Sequence, residues 1–100
     1  MKERVRVAVR ELARRRPEIE RAVLFGSLAK GQAVPGSDAD LLLVLRECGL
    51  PFLERIARYR PEGCGIGVDV FPYTRAEIDK KIVEGDVFVR RALGEGVDLL

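Results

Sequence analysis

A chain of 100 residues, 47% hydrophobic and 34% charged, has the composition of one globular domain and excludes a disordered or fibrous polymer. Its net charge of +2 is too balanced to announce a nucleic-acid binder, and the absence of histidine removes histidine bases and histidine metal ligands together. Cys48 and Cys64 lack CxxC spacing and read as reduced thiols; no apolar run approaches the ~18 residues of a membrane span, so a soluble, cytoplasmic protein is expected.

Residues 3–16 read as a helix, because Val5, Ala8, Val9 and Leu12 form one apolar stripe at i, i+3, i+4, i+7. Residues 1–16 carry seven basic side chains against two acidic ones, a local net of +5. The plain reading is a solvated helix face; the alternative is a basic surface for RNA or an acidic partner. Pro17 ends the helix. The stretch from Glu18 to Phe25 contains a first strand, whose continuous apolar run Ala22–Phe25 suits cover on both faces. Gly26-Ser27 follows, then a one-turn helix closed by Gly31. A Pro35-Gly36 turn delivers Ser37-Asp38-Ala39-Asp40 into a second strand, Ala39 to Arg46, with five consecutive Leu or Val residues.

Pro51 opens a short helix with Phe52, Leu53, Ile56 and Ala57 on its apolar side, and Pro61 ends it. A third strand is expected over Gly65–Phe71. Val68 and Val70 point one way, and Gly67, Asp69 and Phe71 the other. A carboxylate buried in the middle of that valine-rich strand would cost several kcal/mol unless it met a partner or a cation. Thr74-Arg75-Ala76-Glu77 is a capping box. It starts a helix through about Glu84, with Ile78, Ile82 and Val83 inside and Gly85 as its cap. Asp86 caps a further helix, Val87 to Leu93, and residues 97–100 form a short strand or tail. The order predicts an α/β fold with a small mixed sheet of three to four strands flanked by helices. Only about 13 residues join the first two strands, short for a right-handed crossover, so an antiparallel pair is expected there.

A strand that ends in Gly-Ser at a helix N-terminus suits a phosphate, because backbone N–H groups and the helix dipole both favour an anion. On an extended chain Asp38 and Asp40 face the same way, about 6–7 Å apart, where they can share a divalent cation and otherwise repel. Asp69 is a third unusual acid. Taken singly, Ser27 reads as an ordinary N-cap, Asp38 and Asp40 as turn residues, and Asp69 as a strand acid paired with an arginine. Taken together at this spacing they read as a metal and phosphate site.

Gly26-Ser27, ten residues, Asp38-x-Asp40 and then Leu41-Leu42-Leu43-Val44 resembles the signature of the nucleotidyltransferases of the DNA polymerase beta superfamily. At this length the chain resembles the minimal nucleotidyltransferases, often encoded beside a HEPN-domain toxin. The resemblance spans about residues 20–100. It implies a single palm-like domain over residues 1–100 that transfers a nucleoside monophosphate, AMP from ATP, to an acceptor hydroxyl. Two Mg²⁺ ions would be held by Asp38, Asp40 and Asp69, with Asp69 on the acceptor side. Gly26 and Ser27 match the Gly-Ser that holds the triphosphate, and Lys30 and Ser37 join them as nucleotide-binding candidates. Where such members often read Gly-Ser-Arg-Ala-Arg-Gly, this chain has Leu28 and Lys30.

The chain is too short for its own acceptor domain, so templated polymerisation is not expected. A partner chain or a second copy must complete the acceptor site. By resemblance the partner is a HEPN-domain toxin whose tyrosine is adenylylated, which makes this chain the antitoxin. The alternatives are a partner-binding antitoxin module that keeps the fold without the chemistry, and a small-molecule acceptor served by an added helical domain.

Overall fold

The computed structural model describes residues 2–26 and 39–100. Helix α1 (Lys2–Arg15) leads into strands β1 (Ile19–Phe25) and β2 (Ala39–Leu45). Helix α2 (Phe52–Arg58), strand β3 (Val68–Thr74), helices α3 (Arg75–Val83) and α4 (Val87–Glu95), and strand β4 (Val97–Asp98) follow. The strands form one mixed sheet in the order β3-β2-β1-β4. As the short connection predicts, β1 and β2 are antiparallel, running from Ile19 opposite Leu45 to Phe25 opposite Asp40. Strands β2 and β3 are parallel, from Ala39 opposite Val68 to Leu45 opposite Thr74.

Strand β2 is apolar on both sides because helices cover both sides. Leu41, Leu43 and Leu45 join Ala22, Leu24, Val68 and Val70 against the α1 stripe of Val5, Ala8, Val9 and Leu12. On the opposite face Leu42, Val44 and Val23 pack on Ile78 of α3 and on Val89 and Ala92 of α4. Each such leucine removed from water contributes about 1.5–3 kcal/mol. Their alternation fixes the register, since a slip of one residue would exchange the two faces and turn Asp40 into the core.

Strand β3 starts later and runs further than its pattern predicts. It passes through Pro72, whose missing N–H is tolerated because β3 is an edge strand. The Pro72 carbonyl accepts from Arg55 Nη1 at 3.3 Å. Helix α2 is also turned from its expected orientation. Leu53 is 79% exposed, while Arg55 is buried. Arg55 Nε donates to the Leu50 carbonyl at 2.8 Å, and Nη1 donates to Glu77 Oε1 at 2.6 Å. Satisfying these acceptors turns a guanidinium inward in place of a leucine.

Glu77 is the third residue of α3, and the capping box forms as expected. Glu77 N donates to Thr74 Oγ1 at 3.2 Å, and Thr74 N donates to Glu77 Oε1 at 2.8 Å. The Arg55 hydrogen bond holds the Glu77 carboxyl below the usual glutamate range. These bonds pin the start of α3. In its last turn Ile82 and Val83 are both exposed, against the expected inner face. Asp86 Oδ1 accepts from Val89 N at 2.9 Å and caps α4, which runs through Gly94 to Glu95.

Buried Tyr59, just past α2, donates its hydroxyl to Glu18 Oε2 at 2.5 Å. That bond lowers the Glu18 pKa, while burial first and then the same bond raise that of the phenol. Strand β4 adds to the outer edge of β1, with Val97 opposite Leu24 and Asp98 opposite Val23. Leu99 N donates to the Ala22 carbonyl at 2.9 Å, and Arg10 Nε of α1 donates to the Leu99 carbonyl at 3.2 Å. Both cysteines are free thiols. Among the described residues no helix is long and apolar enough to cross a membrane.

Candidate active site

Three strands bring their ends to one side of the sheet: the exit of β1, the entry of β2 and the entry of β3. Phe25 lies opposite Asp40, and Asp40 lies opposite Asp69. Side chains directly opposite in a sheet share a face, so the two carboxylates project side by side from strands about 4.8 Å apart. Asp40 is half-buried and Asp69 exposed. The expectation that Asp69 is buried in mid-strand is therefore corrected. It is the second residue of β3, where water reaches it, and it avoids the desolvation cost of an interior acid. Like charges directly opposite one another disfavour the sheet, so this pairing is not there for stability.

Gly26 closes the row. Its backbone adopts φ +83°, and a Cβ built there would lie 2.5 Å from Asp40 Oδ2. A side chain at position 26 would be strained and would also collide with the carboxylate. Glycine therefore gives Asp40 room beside the exit of β1. The entry of β2 is fixed as well, because Ala39 N donates to the Gly67 carbonyl at 2.9 Å, one residue before β3 begins.

The other candidates read from the sequence, Ser27, Lys30, Ser37 and Asp38, lie outside the described residues. So do the one-turn helix closed by Gly31 and the Pro35-Gly36 turn. Of the three acids, the structure brings Asp40 and Asp69 together. Among the described residues no group of three or more acidic, cysteine or histidine side chains could hold a metal. Two adjacent carboxylates at a solvent-reached edge nevertheless have the donor chemistry of Mg²⁺, a hard ion that takes one or two carboxylates and keeps waters or substrate phosphates as its other ligands.

Aromatic rings that no sequence motif marks surround this end of the sheet. Phe25, Phe71 and Phe88 form a triangle with ring centroids 5.8 Å (25–71), 5.4 Å (25–88) and 5.0 Å (71–88) apart. Phe25 immediately precedes Gly26, and Phe71 follows Asp69 on the same face of β3. Phe88 comes from the first turn of α4, and no local pattern announces its arrival here. Tyr73 is half-buried, with the Phe52 ring at 5.0 Å and Lys81 Nζ 5.1 Å from its own ring centroid. It stands four residues, about 13 Å, along β3 from Asp69.

A four-stranded mixed sheet flanked by helices matches a nucleotidyltransferase fold. Residues 5–93 match the family model described as the nucleotidyltransferase domain, and the chain belongs to that family. Among solved structures it is similar to a candidate nucleotidyltransferase of Sulfolobus solfataricus, at 26% identity and a TM-score of 0.58. That match covers 78% of this chain and 70% of the other. No curated protein matches.

Proposed function

We propose that this nucleotidyltransferase transfers AMP from ATP to the hydroxyl of a protein tyrosine, and that the acceptor is a HEPN-domain toxin which this chain silences as its antitoxin. The acceptor oxygen attacks the α-phosphorus and forms an O–P bond. The bond from the α-phosphorus to the bridging oxygen breaks, and pyrophosphate leaves with that electron pair. Asp69, the exposed acid, takes the hydroxyl proton. Asp40, wedged against Gly26, holds the nucleotide's end of the site, and Asp38 completes the acidic set. Gly26, Ser27, Lys30 and Ser37 receive the triphosphate. Bound Mg²⁺ supplies charge neutralisation of the phosphates and eases deprotonation of the acceptor.

The observation that carries this reading is the register of Asp40 with Asp69 beside Gly26. The identity of the acceptor rests on the resemblance to the minimal members. The test incubates the chain with ATP, Mg²⁺ and the product of the neighbouring reading frame, and follows intact mass. A gain of one or more AMP on the neighbour, lost in Asp40→Asn while binding persists, supports the proposal. Protection against the toxin with no mass gain identifies a contact-only module instead.

A further inference from the structure

A cavity of about 380 Å³ opens between the exit of β1 and α4. Phe25, Phe88 and Gly26 are among its lining residues. The cavity therefore reaches the residue at which a Cβ would meet the Asp40 carboxylate. Arg91 and Glu95, one turn apart on α4, stand at its rim 3.9 Å from each other. Its size falls within the range of small-molecule sites, which are mostly apolar with a few polar groups at the edge. Phe88 is 39% exposed while its ring also meets those of Phe25 and Phe71.

We propose that this cavity takes the base of the nucleoside triphosphate, stacked on Phe88 and Phe25, while its phosphates extend past Gly26 toward Asp40. This rests on the function proposed above and adds to it the residues that read the base. Aromatic rings accept any base by its face, and stacking contributes about 1–3 kcal/mol per base. Arg91 offers donors to ring nitrogens and ribose oxygens, and Glu95 accepts from an exocyclic amine. These rim groups favour a base that presents an acceptor and an amine together, as adenine does.

The test compares two ligands, ATP and inorganic tripolyphosphate, each titrated with Mg²⁺ into the chain by calorimetry. Tripolyphosphate has the phosphates without base or ribose. Phe88→Leu keeps the apolar volume and removes the aromatic face; Arg91→Ala changes an exposed side chain and leaves the core alone. Each variant is expected to bind ATP about tenfold more weakly and tripolyphosphate as tightly as the parent. ATP affinity unchanged in both variants overturns the inference, and so does an equal loss for the two ligands. If the parent binds tripolyphosphate and ATP with the same affinity, the base contributes nothing and the inference falls alone. If the parent binds neither, the proposed function falls and takes the inference with it.

Discussion

Asp40 and Asp69 stand directly opposite one another on the parallel pair β2–β3, two carboxylates with no strand between them. A fold selected for stability alone would place opposite charges or apolar side chains there. Replacing one acid therefore has opposite effects on folding and on chemistry. Asp69→Asn is expected to leave the metal-free protein as stable or stabler, by up to about 1 kcal/mol, because a like-charge cross-strand pair is removed. Transfer activity should fall by roughly a hundredfold or more, the scale of losing one electrostatic stabiliser of the transition state. Thermal unfolding without metal, set beside initial rates with it, checks both halves.

Metal addition gives a second, activity-free measurement. A ligand that binds the folded chain alone adds about 2.7 kcal/mol at a hundred times its Kd. Mg²⁺ should raise the Tm of the parent and raise it less in Asp40→Asn and Asp69→Asn. Equal shifts in all three would place the ion elsewhere.

Gly26→Ala tests the glycine beside the acids. The positive φ and the clash with Asp40 Oδ2 act together, and a cost of roughly 1–2 kcal/mol is expected from backbone strain and displacement of the carboxylate. Because the collision is with Asp40, the Mg²⁺-dependent rise in Tm should shrink as well. A turn glycine of merely conformational importance would lower the baseline Tm and leave that increment intact.

The pair formed by Arg55 and Glu77 predicts an acid limb in the stability curve. Glu77 titrates below its ordinary value of 4.5 in the folded chain, chiefly through its hydrogen bond to Arg55. Protonating it is thus harder in the folded than in the unfolded state. The stabilisation is complete above about pH 4.5 and is lost as pH falls through the depressed value. Arg55→Met should cost about 2–3 kcal/mol at neutral pH, since the Leu50 and Pro72 carbonyls lose a buried donor. It should also flatten that acid limb, which urea unfolding across pH 3–6 measures.

Tyr59→Phe removes one hydroxyl from a buried ring. The loss of its bond to Glu18 should cost about 1 kcal/mol, with the fold unchanged. Glu18 should return toward its ordinary range, a change that a carboxyl-resolved NMR titration reads directly.

Much of this architecture was legible in the residues. The α1 stripe, the two-sided apolar run of β2, the capping box at Thr74 and the Asp86 cap each follow from local spacing. The short connection after β1 pointed to the antiparallel pair. What escaped depended on contacts distant in sequence. Arg55 turns inward because acceptors at Leu50, Pro72 and Glu77 converge on it, and no periodicity within α2 records their positions. Pro72 reads as a strand terminator until its strand is known to lie at an edge. At the candidate site, the sequence singles out Asp40 and Asp69 as candidates by residue type and motif. Their register, the room that Gly26 leaves for Asp40 and the approach of Phe88 are properties of three-dimensional packing.

Strand β4 spans two residues, yet it shields an edge that would otherwise invite pairing with another molecule. The backbone groups it satisfies on β1 belong to the first quarter of the chain, while the shield comes from the far end. On the ribosome β1 therefore emerges long before its cover, and a nascent or truncated chain lacking residues 97–99 presents Ala22, Val23 and Leu24 to its neighbours. Overexpression from a message cut short there should yield inclusion bodies rather than a slightly weakened protein.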